Sequence, residues 1–234
     1  MGQVSSFKSG TASTVAAAGG PTAATSAAGV LRQKILIGEL PSGMALREDP
    51  LTLSIGVSRN TLREAFRQLI LEGLLVQELY KGVAVRVIDA AAARDIFVAR
   101  RALEFYAIER SAYAEQDAYQ RLGLEIDAAR DAAAEGDWLK VGTASLRFHI
   151  AVVALIGSPR LDAFFEVLMA QLSLALASKR HEEAFQARWL PQNASIYASL
   201  VEGRREAATR HMQAFIDESE KLVLDIVRLS RLER

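Results

Sequence analysis

The chain has 234 residues, half of them apolar, with no cysteine and with equal numbers of basic (Lys, Arg) and acidic (Asp, Glu) residues. This length accommodates two small domains. Without cysteine the sequence offers no disulfide, no thiolate metal ligand and no cysteine nucleophile, which fits the cytosol. No uninterrupted apolar run reaches the roughly 18 residues of a membrane-spanning helix, so we predict a cytoplasmic protein with no membrane partner.

Positive charge is mildly concentrated in the first half of the chain. Residues 30–86 carry 8 Lys or Arg against 6 Asp or Glu, whereas residues 87–234 have a net charge of −3. The asymmetry places the positive field on the N-terminal part of the protein. It is too small to indicate nucleic-acid binding by itself.

Residues 1–29 are mostly Ala, Ser, Thr and Gly, and Lys8 is their only basic residue. They lack the basic start and compact apolar core of a signal peptide. Large apolar side chains are too few here to offset the entropy of ordering. We therefore predict a disordered N-terminal arm rather than an arm that binds DNA.

Two short helices are predicted to precede a basic one. Residues 31–40 have helical apolar spacing that stops at the helix breakers of residues 41–43. Asp49 followed by Pro50 suits the cap and first position of a second helix. A turn that contains Gly56 then leads into a third helix from Arg59. Two helices joined by a short turn are typical of a helix-turn-helix motif.

The third helix carries an apolar stripe beside a basic one, and Ser58 is placed to cap it. Its first turn offers Ser58, Arg59, Asn60 and Thr61, whose groups are suited to phosphates and base edges in a major groove. The alternative is an amphipathic surface helix with solvated arginines. The apolar stripe consists of Leu62, Ala65, Phe66 and Leu69, and the basic stripe of Arg59, Arg63 and Arg67.

After Gly73, residues 75–79 and 83–87 read as two short strands around the turn Tyr80-Lys81-Gly82. Three helices and a β-hairpin within residues 30–88 make a winged helix-turn-helix domain.

Residues 30–88 resemble the winged-helix domain of the GntR superfamily of bacterial transcription regulators. The resemblance rests on residues 35–40, on Gly56-Val57-Ser58-Arg59, on Leu62-Arg63-Glu64-Ala65, on Glu72-Gly73-Leu74 and on the wing glycine Gly82. It implies that Ser58, Arg59, Thr61 and Arg63 contact DNA and that Lys81 and Gly82 reach the adjacent minor groove. One position departs from the family, because Asp49 stands where a basic residue usually contacts phosphate.

From Asp89 onward the spacing predicts helices alone, in an antiparallel bundle over residues 89–234. The fold is thus mainly α, a winged helix-turn-helix followed by an all-α bundle. Asp89, Asp117 and Asp137 are predicted caps of the first three helices. The predicted spans are about 89–114, 117–136, 137–156, 159–180, 183–202 and 203–232.

This half resembles the FCD domain of the FadR subfamily, a helical ligand-binding domain. The resemblance rests on Arg100-x-x-Leu103-Glu104, Arg147-Phe148-His149 and residues 157–161. Most members hold a divalent metal with one Asp and three His, and the matching positions here are Ser145, His149, Asn193 and Phe215. Since only His149 is a good ligand for a transition metal, we predict no metal and no other cofactor. His149 is equally consistent with a neutral, hydrogen-bonded core histidine.

The same four residues together with Arg100 are the predicted effector pocket. Arg100 would bind the carboxylate of an organic acid or related metabolite. The alternative is a more apolar effector packed against Phe215.

The sequence lacks GxSxG, GxxxxGK[ST] and HExxH, so we predict no enzyme and no catalytic residue. The resemblance indicates a dimeric transcription regulator that binds a palindromic double-stranded operator and responds to a small molecule. The alternative is a metabolite-binding or scaffold protein that has kept the fold without binding DNA, for which Asp49 is the only support.

Overall fold

A computed structural model describes residues 21–80 and 82–232. Three helices and a small sheet form the N-terminal region. The strands are antiparallel in the order β1-β3-β2, with Leu75 opposite Val85 and Glu78 opposite Gly82. In chain order the elements are α1 (Ala23–Leu36), β1 (Ala45–Leu46), α2 (Glu48–Ile55), α3 (Arg59–Leu71), β2 (Leu75–Glu78) and β3 (Gly82–Val85).

Helix α1 begins eight residues earlier than predicted. Thr22 caps it by accepting a hydrogen bond from the backbone N–H of Thr25, and Ala27 and Ala28 are buried. The prediction of disorder was therefore wrong for residues 22–29, and residues 1–20 of the predicted arm lie outside the described residues. The error has a physical cause. Alanine is the best helix former, and its small side chain lets α1 pack closely against its neighbours α3 and α7 (Pro159–Ala175).

Helix α3 matches its prediction, whereas the start of α2 does not. The Ser58 side chain accepts a hydrogen bond from the backbone N–H of Thr61 at 3.1 Å, and the predicted apolar stripe is the buried face of α3. Helix α2 starts at Glu48 with Arg47 in the cap position, so Asp49 lies in the first turn and is not the cap. Strand β1 was not predicted, because two residues carry no periodic pattern.

The C-terminal region is helical, in agreement with the predicted bundle. Asp89 and Asp137 cap helices as predicted, but Glu115 rather than Asp117 occupies the cap position of α5. Together with α7, the helices are α4 (Ala90–Arg110), α5 (Gln116–Ala134), α6 (Trp138–Ala154), α8 (Glu183–Gln186), α9 (Trp189–Val201) and α10 (Arg205–Leu232).

The predicted helix over 183–202 is two helices, with a turn at residues 187–188 between α8 and α9. Pro191 lies in the first turn of α9. A proline has no backbone N–H to donate to the carbonyl four residues earlier, and its ring clashes with that carbonyl. A continuous helix through Ala187 is therefore disfavoured, while proline is tolerated in a first turn.

A buried arginine joins the bundle to the winged-helix region. Arg180 is 8% exposed and donates to the backbone carbonyl of Leu36 at 2.7 Å and to the hydroxyl of Ser173. Ser173 donates in turn to the carbonyls of Ile35 and Leu36. The terminal carbonyls of α1, which have no partner within the helix, are thus bonded by the bundle.

Within the described residues no helix is long and apolar enough to cross a membrane.

Candidate functional site

The first turn of α3 lies on the surface and presents polar side chains to solvent. Ser58, Arg59, Asn60 and Arg63 are exposed and Thr61 is half-buried. Because Leu62 and Leu69 are fully buried on the opposite face, the helix is held along one side only. The five predicted DNA contacts of α3 and its cap therefore lie together on one open surface.

Two acidic residues of α2 hold the arginines of this surface. The guanidinium of Arg63 forms a bidentate pair with Glu48, with N–O distances of 2.8 and 3.0 Å. Arg59 pairs with Asp49 at 2.8 Å. Both pairs join the helix before the turn to the helix after it. They orient the arginines, and an approaching phosphate has to compete with them.

The Glu48–Arg63 pair also shifts the pKa of both groups. The hydrogen bond from Arg63, with the positive charge of Arg63 and Arg59, holds the pKa of Glu48 below its usual value despite partial desolvation. The hydrogen bond and charge of Glu48 raise the pKa of Arg63. Both groups are charged at neutral pH, but water screens the pair because the Arg63 side chain is 60% exposed.

The hairpin after α3 projects exposed side chains at its tip. Tyr80 is 97% exposed and has a positive φ of 64°, which is uncommon for a residue with a Cβ. Gly82 follows with φ 91°. Lys81, a predicted DNA contact, lies outside the described residues. The sequence analysis treated Tyr80 only as part of the turn, although its exposure makes it a candidate contact as well.

A second polar group of residues is buried in the bundle, where α4, α6, α9 and α10 meet. Arg100 donates through Nε to Glu104 at 2.8 Å, and the other oxygen of Glu104 lies 2.5 Å from Nδ1 of His149. The three residues are at most 1% exposed. We call Arg100, Glu104 and His149 the buried triad.

The pKa shifts in the buried triad follow from its charges. Burial alone would raise the pKa of Glu104, but the charge of Arg100, the proximity of His149 and their hydrogen bonds outweigh it and lower that pKa. Burial lowers the pKa of His149 more than Glu104 raises it. The carboxylate is thus ionised and the imidazole neutral at pH 7. Because an ionised carboxylate only accepts hydrogen bonds, Nδ1 of His149 carries the proton.

The other predicted pocket residues adjoin the buried triad. Asn193 donates to the hydroxyl of Ser145 at 2.9 Å. The ring centroids of Phe215 and His149 are 4.4 Å apart. Three buried polar atoms of this region have no hydrogen-bond partner among the described residues. They are Nη2 of Arg100, Nε2 of His149 and Oδ1 of Asn193. Unpaired buried polar atoms are uncommon and indicate a missing partner such as a ligand or water.

The role of Glu104 was not predicted from the sequence. Glu104 accepts the hydrogen bond from Nε of Arg100 and neutralises its charge, so Arg100 offers one unpaired nitrogen, Nη2, rather than a free cation. The four-residue spacing of Arg100 and Glu104 was the available signal, because residues four apart are neighbours on a helix.

A metal ion does not fit this donor set. No group of three or more His, Asp, Glu or Cys residues arranged to hold a metal occurs within residues 21–80 and 82–232. His149 offers one free nitrogen, but Phe215 packs against its ring where the family would place another ligand. His211 bonds to Ser199, and His181 is exposed.

Two cavities adjoin these residues. An inner cavity of about 30 Å³ is lined by Arg100, His149 and Phe215 among others. An outer, mainly apolar pocket of about 200 Å³ lies between α5, α6 and α9. Ser145 and Trp189 line both. A larger cleft of about 450 Å³ separates the winged-helix region from the ends of α7 and α10, but it contains none of the unpaired buried atoms.

Two family models match the chain. Residues 23–85 match the family of bacterial regulatory proteins, gntR family, and residues 95–218 match the FCD domain. The first match covers the helices and sheet that carry the exposed arginines, and the second covers the buried triad.

Individual proteins with similar sequences or structures are also transcription regulators by name. An uncharacterized HTH-type transcriptional regulator of Streptomyces ambofaciens is 28% identical over 82% of this chain and 83% of its own length. A probable D-xylose utilization operon transcriptional repressor of Paenarthrobacter nicotinovorans is 27% identical over 78% of this chain and 82% of its own length. The crystal structure of a putative transcriptional regulator GntR from Rhodococcus sp. RHA1 superimposes with a TM-score of 0.77. Its sequence is 31% identical to this chain, and the match covers 86% of this chain and 97% of that one.

Proposed function

The chain belongs to the gntR family of bacterial regulatory proteins with an FCD domain, and on that basis we propose that it binds operator DNA as a homodimer and responds to a small molecule. It belongs to a family of transcription regulators and not of enzymes. The observation that carries DNA binding is the open surface of α3, where Arg59 and Arg63 are exposed and oriented by acidic partners. The proposed DNA contacts are Ser58, Arg59, Asn60, Thr61, Arg63, Lys81 and Gly82.

Electrophoretic mobility shift with the promoter DNA next to the protein's own gene tests this proposal. We expect a sequence-specific complex that survives excess competitor DNA, since base-edge contacts persist when phosphate contacts are competed away. Binding equal to that of unrelated DNA, or none, would instead support the alternative of a metabolite-binding or scaffold protein that has kept the fold.

Dimerisation is supported by an exposed apolar stripe on α4. Val98 is 66% exposed and Tyr106 is 44% exposed, with the exposed Ala102 between them at spacings of four residues. Apolar residues aligned in this way on a helix surface are typical of an interface. A two-fold dimer would place two α3 helices against the half-sites of a palindrome.

We expect Val98→Glu to shift the protein from dimer to monomer, because a buried carboxylate without a partner opposes association. Sedimentation velocity measures the change. Leu124→Glu on α5 is the matched control, since Leu124 is also 66% exposed but lies on another helix. An unchanged dimer in Val98→Glu would place the interface elsewhere.

The proposed effector pocket consists of Arg100, Ser145, His149, Asn193 and Phe215. Four of these residues line the inner cavity, and Asn193, which lines the outer pocket, bonds to Ser145. A transcription regulator that senses a small molecule needs a route from this pocket to the winged helix.

Gln186 and Arg180 provide such a route. Gln186 lines the inner cavity and donates to the backbone carbonyl of Lys179 at 3.2 Å. The next residue, Arg180, bonds to Leu36 at the end of α1. Burial lowers the pKa of Arg180 to about 10, so it stays protonated at neutral pH. Movement of Gln186 when the cavity is filled would therefore be transmitted to the DNA-binding region.

We expect Arg180→Met to keep operator binding but to lose its dependence on the effector. Methionine preserves much of the side-chain volume but removes every donor. The Leu36 carbonyl keeps its bond from Ser173, so the loss of the charge-assisted bond from Arg180 should cost about 1.5–3 kcal/mol of stability. Operator titrations with and without cell-extract metabolites measure the response. Lys179→Met is the control and should respond normally, because the half-buried side chain of Lys179 pairs with Glu182 and not with α1.

We propose that the pocket works without a metal. The purified protein should contain no stoichiometric zinc, nickel or manganese by elemental analysis, and a chelator should leave its melting temperature unchanged. One tightly bound transition metal per chain would show that the placement of the pocket residues is wrong.

A further inference from the structure

We propose that the effector is a neutral molecule the size of a single ring with a hydroxyl group. Its ring would fill the outer pocket between α5, α6 and α9, and its hydroxyl would meet Arg100 and His149. This inference rests on the proposed role of the pocket in sensing a small molecule.

The outer pocket sets the size and the apolar character of the ligand. Its lining includes Ile126, Ala129, Val141, Ala144 and Phe148. The volume is about 200 Å³. A dry cavity of about 150 Å³ is sufficient to bind benzene. One ring with a small substituent therefore fits this volume, and the mainly apolar lining does not match the many hydroxyls of a sugar.

The inner cavity can take only a small polar group. Its volume of about 30 Å³ exceeds the roughly 10–15 Å³ that a cavity needs to hold one water molecule, but only by enough for a small group. Ser145 and Trp189 line both spaces, so the two spaces adjoin at these residues. We place the ring's substituent at this junction, directed toward the buried triad.

The unpaired atoms of the triad call for a group that both accepts and donates a hydrogen bond. Nη2 of Arg100 is a donor without an acceptor. The proton of the neutral imidazole lies on Nδ1 facing Glu104, so Nε2 of His149 is an acceptor. The Asn193 side chain lies within reach of this imidazole, but its unpaired oxygen Oδ1 is also an acceptor, so Nε2 has no donor. A hydroxyl oxygen accepts from Arg100 while its hydrogen is donated to His149, so a single hydroxyl satisfies both.

The charge balance of the site disfavours a carboxylate. Glu104 already neutralises Arg100, and no other charged side chain among the described residues lines the inner cavity. Glu125 and Arg130 line only the outer pocket. A ligand carboxylate would be taken out of water without a counter-charge of its own, which is unfavourable. A neutral head group avoids this cost, so the structure favours a phenol or aryl alcohol over the organic acid expected from the sequence.

Isothermal titration calorimetry of the full chain with phenol, toluene and benzoate tests the inference. We expect phenol to bind at least roughly tenfold more tightly than toluene, which leaves both buried atoms unpaired, and than benzoate, which buries an extra charge. Ala129→Leu, which fills the outer pocket, should weaken phenol binding at least tenfold. The matched control Ala128→Leu lies one residue away on the exposed face of α5 and should bind phenol normally.

Any one of three results would overturn the inference. Benzoate could bind as tightly as phenol, phenol could fail to bind at millimolar concentration, or phenol could bind equally to both leucine variants. The comparison of three probes on the unaltered chain does not depend on any variant folding. Operator binding, measured without added compound, is a separate readout. If the protein binds phenol but no operator, the proposed pocket is supported and the proposed regulatory function is contradicted. If it binds the operator but binds phenol, toluene and benzoate equally, the regulatory function is supported and the inference about the effector is contradicted.

Discussion

Replacing Arg63 with alanine should weaken operator binding by about 1–3 kcal/mol for each half-site, if the arginine makes a bidentate contact to a base. The same loss is expected for Arg59→Ala. Both side chains lie off the buried stripe of α3, so the melting temperature should change little. Fluorescence anisotropy with a labelled operator measures the affinity, and circular dichroism checks the fold.

Arg67→Ala is the internal control for these two variants. Arg67 is 73% exposed on the same helix and is paired with Glu64, but it lies one to two turns beyond the first turn. Its replacement should remove one positive charge without a base contact, and so should weaken specific and non-specific binding alike. If Arg59→Ala and Arg63→Ala bind the operator as tightly as the unaltered protein, α3 is not the recognition helix.

Substitutions of Asp49, on the same surface, should instead increase the affinity for operator DNA. Asp49→Asn removes the carboxylate that pairs with Arg59, so Arg59 is released to DNA and affinity should rise. Asp49→Arg should add the phosphate contact that the family resemblance implies, and the slope of log K against log salt should steepen by about one per added contact. The structure adds a cost to this second variant, since two arginines would then face each other in the free protein.

The sequence predicted the elements whose pattern is local. The apolar stripe of α3 and the caps Ser58, Asp89 and Asp137 depend on residues within one or two turns, and the structure contains them. The start of α1 was missed because an alanine-rich segment looks unable to form a core, although Ala28 is fully buried against the rest of the fold.

The pairings that define the candidate site depend on long-range contacts. Glu48 and Arg63 are 15 residues apart, and Glu104 and His149 are 45 apart. No periodicity relates such residues, because the packing of different helices brings them together. The sequence therefore predicted residues for both candidate sites but not the partners that determine their charge. The acidic effector was inferred from Arg100, which the structure shows to be paired with Glu104.

Glu104→Ala should have the largest effect on stability, a loss of about 3–5 kcal/mol in the free energy of unfolding. The substitution leaves the positive charge of Arg100 buried without its partner and removes the acceptor of His149 Nδ1. Urea denaturation at pH 7.5 measures the loss. The double variant Arg100→Met/Glu104→Met should recover part of it, because removing both charges also removes the cost of burying one alone. Equal instability of the single and double variants would mean that packing, not the unpaired charge, is responsible.

The buried triad should also make the protein less stable in mild acid. Burial lowers the pKa of His149 in the folded protein below its ordinary value of 6.5, so the unfolded chain takes up a proton first as the pH falls. Stability contributed by neutral His149 is therefore complete above pH 6.5 and declines below it, with a limiting slope of about 1.4 kcal/mol per pH unit. Glu104, whose pKa is lowered from 4.5, adds a second loss only below that value. His149→Gln should abolish the decline between pH 6.5 and 4.5 in urea titrations while leaving the lower step. If the free energy of unfolding of His149→Gln still declines between pH 6.5 and 4.5 as in the unaltered protein, the decline is caused by another titrating group.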